Sequence, residues 1–109
     1  TLFDHAKVQR MVWRFMKGTE FFHTFYEEIK LYFLHTCFYE TLSFAKLRNM
    51  KISMEQYRQL EEMALKEVLD PGQSVYETLI PQQMKLYRLA EKGMGEEELS
   101  AYMDQLPTG

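Results

Sequence analysis

The sequence predicts an all-α fold: a bundle of about five helices packed around a long, aromatic-rich second helix. Three observations carry that prediction. Apolar residues recur at three- and four-residue spacing in every segment between breakers. No stretch alternates like a strand over more than a few residues. Two capping-box signatures, "SMEQ" and "SVYE", open helical segments in the second half of the chain. At 109 residues the chain is read as a single all-helical domain. It starts at Thr1 rather than Met, which also fits a fragment of a longer protein. Its 46% hydrophobic and 27% charged residues are ordinary for a globular domain and argue against disorder.

The first helix is expected over residues 3–17. "AKVQRMVWRFMKG" places Val8, Met11, Val12, Phe15 and Met16 on one side, with Lys7, Arg10, Arg14 and Lys17 on the other, and Gly18 stops it. Thr19 is the expected cap of the second helix, with Glu20 in its first turn. No breaker follows before "RNMKIS", so the second helix is expected over residues 20–50, roughly 45 Å long. Spacing of ~100° per residue gathers Phe22, Phe25, Tyr26, Ile29, Phe33, Cys37, Phe44 and Leu47 into a broad stripe. Glu20, His23, Thr24, Glu27 and Lys30 make the other side polar in the first half; Leu31, Leu34, Phe38 and Leu42 make it apolar in the second. A helix apolar all round is buried all round. The second helix is therefore the centre of the bundle or the seam between two chains, with Leu31, Leu34, His35, Phe38 and Leu42 as the seam.

Ser53 and Gln56 box the start of a third helix, whose stripe is Tyr57, Leu60, Ala64 and Val68, with Glu61, Glu62 and Lys66 expected outside. "DPG" ends it. Ser74 and Glu77 box the next. Tyr76, Leu79, Ile80, Leu86, Tyr87 and Ala90 keep helical phase through Pro81, which favours one kinked helix over a new helix starting at the proline. Gly93 and Gly95 break the chain before a last helix that buries Leu99, Tyr102, Met103 and Leu106.

Composition narrows function mainly by exclusion. The formal net charge is −3, with no basic stripe for nucleic acid. One cysteine excludes an internal disulfide and a zinc–thiolate cluster, and a free thiol fits a reducing, cytoplasmic setting. No apolar run approaches the ~20 residues of a membrane span, and no signal peptide is read. The "LPTG" ending lacks the spacer and hydrophobic tail of a sorting signal. Eight Met and eight Phe make a bulky, adaptable interior, suited to packing or to a pliable pocket.

The polar residues inside "YFLHTCFYETLSF" are the natural candidates for chemistry. His35 and Cys37 stand two apart, on nearly opposite helix faces, so they cannot share a metal or form a nucleophile–base pair. Cys37 sits in the apolar stripe, where a thiol is inert. Glu40 falls near the centre of that stripe, beside Thr36 and Ser43. A buried carboxylate must be paired, protonated or facing a ligand. Glu40, Thr36 and Tyr39 are thus the candidates for a pocket or a buried polar group, with Arg10, Arg14 and Arg48 as partners for Glu40. "EFFH" has the Glu-x-x-His spacing of di-iron bundles, and Glu20, His23 and Glu27 would share a face; the second Glu-x-x-His such a site needs is missing. "RLAEKGMGEEELSAYM" has a helix-turn-helix outline, but Glu96, Glu97 and Glu98 stand where DNA phosphates would be met. No phosphate loop, nucleophile elbow or HExxH is present.

The leading expectation is a non-enzymatic regulatory or protein-interaction module acting as a homodimer, with no cofactor. The alternatives are a small-molecule-sensing effector domain of a helical transcription regulator, binding an apolar ligand, and a metal-binding or enzymatic bundle.

Overall fold

The structure, a computed structural model, describes residues 2–74 and 81–106. The fold is all-α. The helices are α1 (Asp4–Lys17), α2 (Tyr26–Leu34), a π turn (His35–Tyr39), α3 (Glu40–Leu47), α4 (Met54–Val68), α5 (Pro81–Glu91) and α6 (Glu96–Asp104). The middle three run together as one 22-residue helix, so the described residues form five helical rods and no strand.

Gly18 ends α1 where the sequence placed its end. Thr19 does not open the next helix. Its hydroxyl donates to the Met16 carbonyl at 2.6 Å, closing α1 instead. Residues 20–25 form turns, and the long helix begins only at Tyr26. Phe22 pins these turns to the core, with its ring edge-on to Trp13 at 5.4 Å.

The π turn explains why the expected stripe fails beyond Tyr39. The Glu40 N–H reaches back five residues to the His35 carbonyl. One extra residue in the turn rotates everything after it by ~100°. Thr41, Leu42 and Ala45 therefore face the core, while Phe44 and Leu47 turn outward. The Thr36 and Thr41 hydroxyls donate to the Tyr32 and Cys37 carbonyls, both at 2.9 Å, tying side chains into the backbone on either side of the turn.

Helix α4 starts as the sequence reads: the Ser53 hydroxyl accepts from the Gln56 N–H at 3.1 Å, and Gln56 Oε1 accepts from the Ser53 N–H at 3.0 Å. The Met54 N–H finds its acceptor far away in sequence, on Glu96 Oε1 of α6 at 3.2 Å. Tyr57, Leu60, Ala64 and Val68 are buried as expected, and α4 packs against α1, α2, the π turn and α5. The joined helix and α4 together hold the centre. Lys46 of α3 donates to the Asp104 and Leu106 carbonyls at 2.7 and 2.8 Å, which satisfies the C-terminal end of α6 with a cation.

Leu86, Tyr87, Ala90, Leu99 and Tyr102 are buried as the sequence indicates, whereas Met103 and Leu106, expected to be buried with them, are half-buried against the core. Gly95 precedes α6 at φ 101°, and a Cβ there would lie 2.8 Å from Leu89 Cβ, so the tight α5–α6 turn requires glycine. The second capping box, with Glu77, and the residues Tyr76, Leu79 and Ile80 lie outside the described residues. So does the approach to Pro81 that would distinguish a kink from a new start.

Candidate functional site

Two features depart from what a lone helical domain needs. The first is the outer face of α1. Its apolar stripe points away from the core: only Ala6 and Trp13 of this helix are buried, while Met11 and Phe15 are 69% and 74% exposed. Val8 and Val12 are exposed beside them, so four of the five residues read as the apolar side of this helix stand in solvent. Where α1 meets α2, the stripe runs into an open groove of about 200 Å³. Trp13 and Phe33 form its floor, Val12 and Met16 one wall, Ile29 and Tyr32 the other, with Gln9 and Glu28 at the edge. Leu31 and Tyr32 extend the apolar surface onto α2. Trp13 Nε1 is buried and meets no hydrogen-bond partner among the described residues.

The second feature is a buried polar cluster between the π turn, α4, α5 and α6. Glu61 is fully buried on the core side of α4. Its Oε1 accepts a hydrogen bond from the Tyr57 hydroxyl, and its Oε2 has no partner among the described residues. Burial pushes the Glu61 carboxyl up to about 8, against the opposing pull of the Tyr57 hydrogen bond. The Tyr39 hydroxyl accepts from Gln83 Nε2 and is hydrogen-bonded to Tyr102. Burial raises the phenols of Tyr39, Tyr57 and Tyr102 as well. The cluster is a set of buried hydrogen-bonding groups whose burial favours the neutral form of Glu61.

The sequence placed Glu61 outside because it is charged, yet the geometry was readable. Spacing of ~100° per residue sets it about 20° from Val68 and about 40° from Tyr57, at the edge of the stripe. Gln83 was missed in the same way: polar residue type outweighed helical phase.

The residues singled out from sequence are not brought together. Thr36 gives its hydroxyl to its own helix, Tyr39 joins the Gln83–Tyr102 cluster, and Glu40 lies 3.3 Å from His5 Nε2 at the half-buried edge of α1. Glu40 is thus a third exposed rather than central to the stripe, because the π turn carries it round, and none of its three expected arginines is the partner that the structure gives it. Cys37 is fully buried, its thiol 3.6 Å from the Ala6 carbonyl and pushed up to about 12 by burial, an environment in which it is unreactive. Of the seam residues, Leu31 and His35 are on the surface and Leu34 is half-buried. Phe38 and Leu42 lie in the chain's own core at 1% and 0% exposure, where they cannot also meet a second copy. Glu20 and His23 fall in the turns before α2, so the helical spacing that would have set them beside Glu27 is lost. Among the described residues no three His, Cys, Asp or Glu side chains gather where they could hold one ion. Nor is any described helix long and apolar enough to cross a membrane.

No family model matches the chain, and neither the curated proteins nor the solved structures contain a match to it.

Proposed function

We propose that this chain is a non-enzymatic protein-interaction module of regulatory type that works as a homodimer, joined through the outer faces of α1 and α2. One observation carries the reading: an amphipathic helix whose apolar stripe, Val8, Met11, Val12 and Phe15, is left uncovered by its own fold. Soluble domains rarely keep so concentrated an apolar surface unless something docks on it. The seam therefore moves from the five residues read in the sequence to α1, with Leu31 and Tyr32 of α2 at its border. Sedimentation equilibrium at micromolar concentration tests it. The expected result is a dimer that Met11→Glu and Phe15→Glu each convert to a monomer of unchanged helicity. A wild-type chain that stays monomeric at tens of micromolar rejects the homodimer.

The α1–α2 groove favours a second reading, a small-molecule-sensing domain. An apolar groove floored by the Trp13 and Phe33 rings suits an apolar ligand. A ligand that raises the melting temperature of wild type, with the gain abolished by filling the groove in Val12→Trp, would support that reading over the first.

A further inference from the structure

The geometry points to a specific mode of self-association: the groove between α1 and α2 of one copy receives Phe15 of a second copy, and the exchange is mutual. The inference rests on the homodimer reading above and adds the docking site. Knob and hole lie on the same face of the same chain. Phe15 is the most exposed large apolar side chain among the described residues, at 74%. The groove is one helical turn away on the same helix, since Val12 belongs both to the stripe and to the groove wall. A face that carries a projection and a matching recess side by side is self-complementary under a two-fold rotation, the commonest symmetry of soluble oligomers. The sizes agree. A dry apolar cavity of about 150 Å³ holds a benzene ring, and this groove offers about 200 Å³ over Trp13 and Phe33. An aromatic ring there would lie among other aromatic rings, where edge and face contacts are favourable.

Charge separates a second copy from an unspecified partner. Lys7, Arg10, Arg14 and Lys17 give α1 a positive flank, whereas the acidic Glu28 of α2 stands at the groove edge. Arg14 is taken up within the chain by Glu67, at 2.6 Å from Nε to Oε1, which leaves Lys7, Arg10 and Lys17 as the cations of the flank to meet an acidic rim. A copy laid across this face brings its basic helix to the acidic edge of the other groove, twice over. Such an arrangement steers association and fixes orientation.

Directed cross-linking tests the docking mode. Phe15→Cys and Tyr32→Cys chains are prepared separately, mixed in equal amounts and oxidised. Cys37 can remain, being fully buried. The expected product is the mixed disulfide dimer, in several-fold excess over either disulfide of like chains. Sedimentation of the wild type is run alongside. If the wild type is a dimer but the mixed disulfide does not form, this docking mode is overturned while the homodimer stands. If the wild type is a monomer, both fall, and the groove belongs to a different occupant. Phe15→Ala gives a second readout that leaves the fold intact: dimer dissociation should become roughly tenfold easier or more, as for an anchor residue. Phe15→Leu should retain most of the affinity. Glu28→Lys should weaken association and flatten its dependence on salt. Equal affinity for wild type and Phe15→Ala overturns the inference.

Discussion

Helices α1 and α4 are nearly the same length and carry the same kind of apolar stripe, yet seven side chains of α4 are buried and only two of α1. Their exceptions run in opposite directions. Helix α4 hides a carboxylate, Glu61, in the middle of the core; α1 leaves a phenylalanine and a methionine in water. Helical periodicity says that a stripe is to be covered. It does not say whether the cover is the same chain. For α4 it is: α1, α2, the π turn and α5 close around it. For α1 only the edge marked by Ala6 and Trp13 is closed, and the stripe is exposed.

The strongest test of this contrast compares truncations on the two stripes. Leu60→Ala in α4 empties a fully buried site and should cost about 2–5 kcal/mol in urea unfolding. Next in size is the effect of pH on Glu61. Its proton is held to about 8 in the fold against an ordinary 4.5, so the folded chain binds more protons than the unfolded chain between those values. The stability linked to that proton is whole below the lower value and is lost as pH rises towards the upper one. Between pH 5 and 7 the wild type should lose roughly 2.5 kcal/mol at this group. Glu61→Gln, neutral throughout, should lack that loss and be the more stable chain at pH 7. Parallel slopes for the two proteins would show that Glu61 is ionised in the fold. Ser53→Ala removes the N-terminal box of α4 and should cost about 1 kcal/mol. The smallest effect is expected on α1. Met11→Ala, measured in dilute protein where the chain is monomeric, should change stability by no more than about 0.5 kcal/mol. A Met11→Ala cost as large as that of Leu60→Ala would erase the difference between the two helices.

Much of the fold was legible in residue spacing. The end of α1 at Gly18, the Ser53–Gln56 box, the α4 stripe and the buried positions of α5 and α6 followed from periodicity and breakers. Two things did not. The turns at residues 20–25 look helical in sequence, because Phe22, Phe25 and Tyr26 keep helical spacing; what fixes them is the tertiary contact of Phe22 with Trp13. The π turn has no residue signature of its own, and a single extra residue there was enough to misplace Glu40, Phe44 and Leu47. The sites were less legible still. Glu61 and Gln83 were in phase with the core, but their polarity pointed outward, and only a shared interior with Tyr39, Tyr57 and Tyr102 makes their burial tolerable. The α1 face differs again: its stripe was read correctly, but periodicity alone did not say that it would face solvent.

The clasp between α4 and α6 has a consequence for the order in which the chain is made. Glu96 accepts the Met54 N–H, and Lys46 donates to the carbonyls of Asp104 and Leu106, so two earlier helices are finished by the segment that leaves the ribosome after them. Until that segment emerges, the first turn of α4 lacks one acceptor and Lys46 has no helix end to engage. A nascent chain halted before Glu96 should therefore hold α4 by its packing alone, with a frayed start. Translation through the last helix should then complete the first turn of α4 and give Lys46 its acceptors, while the packing of α4 is already in place.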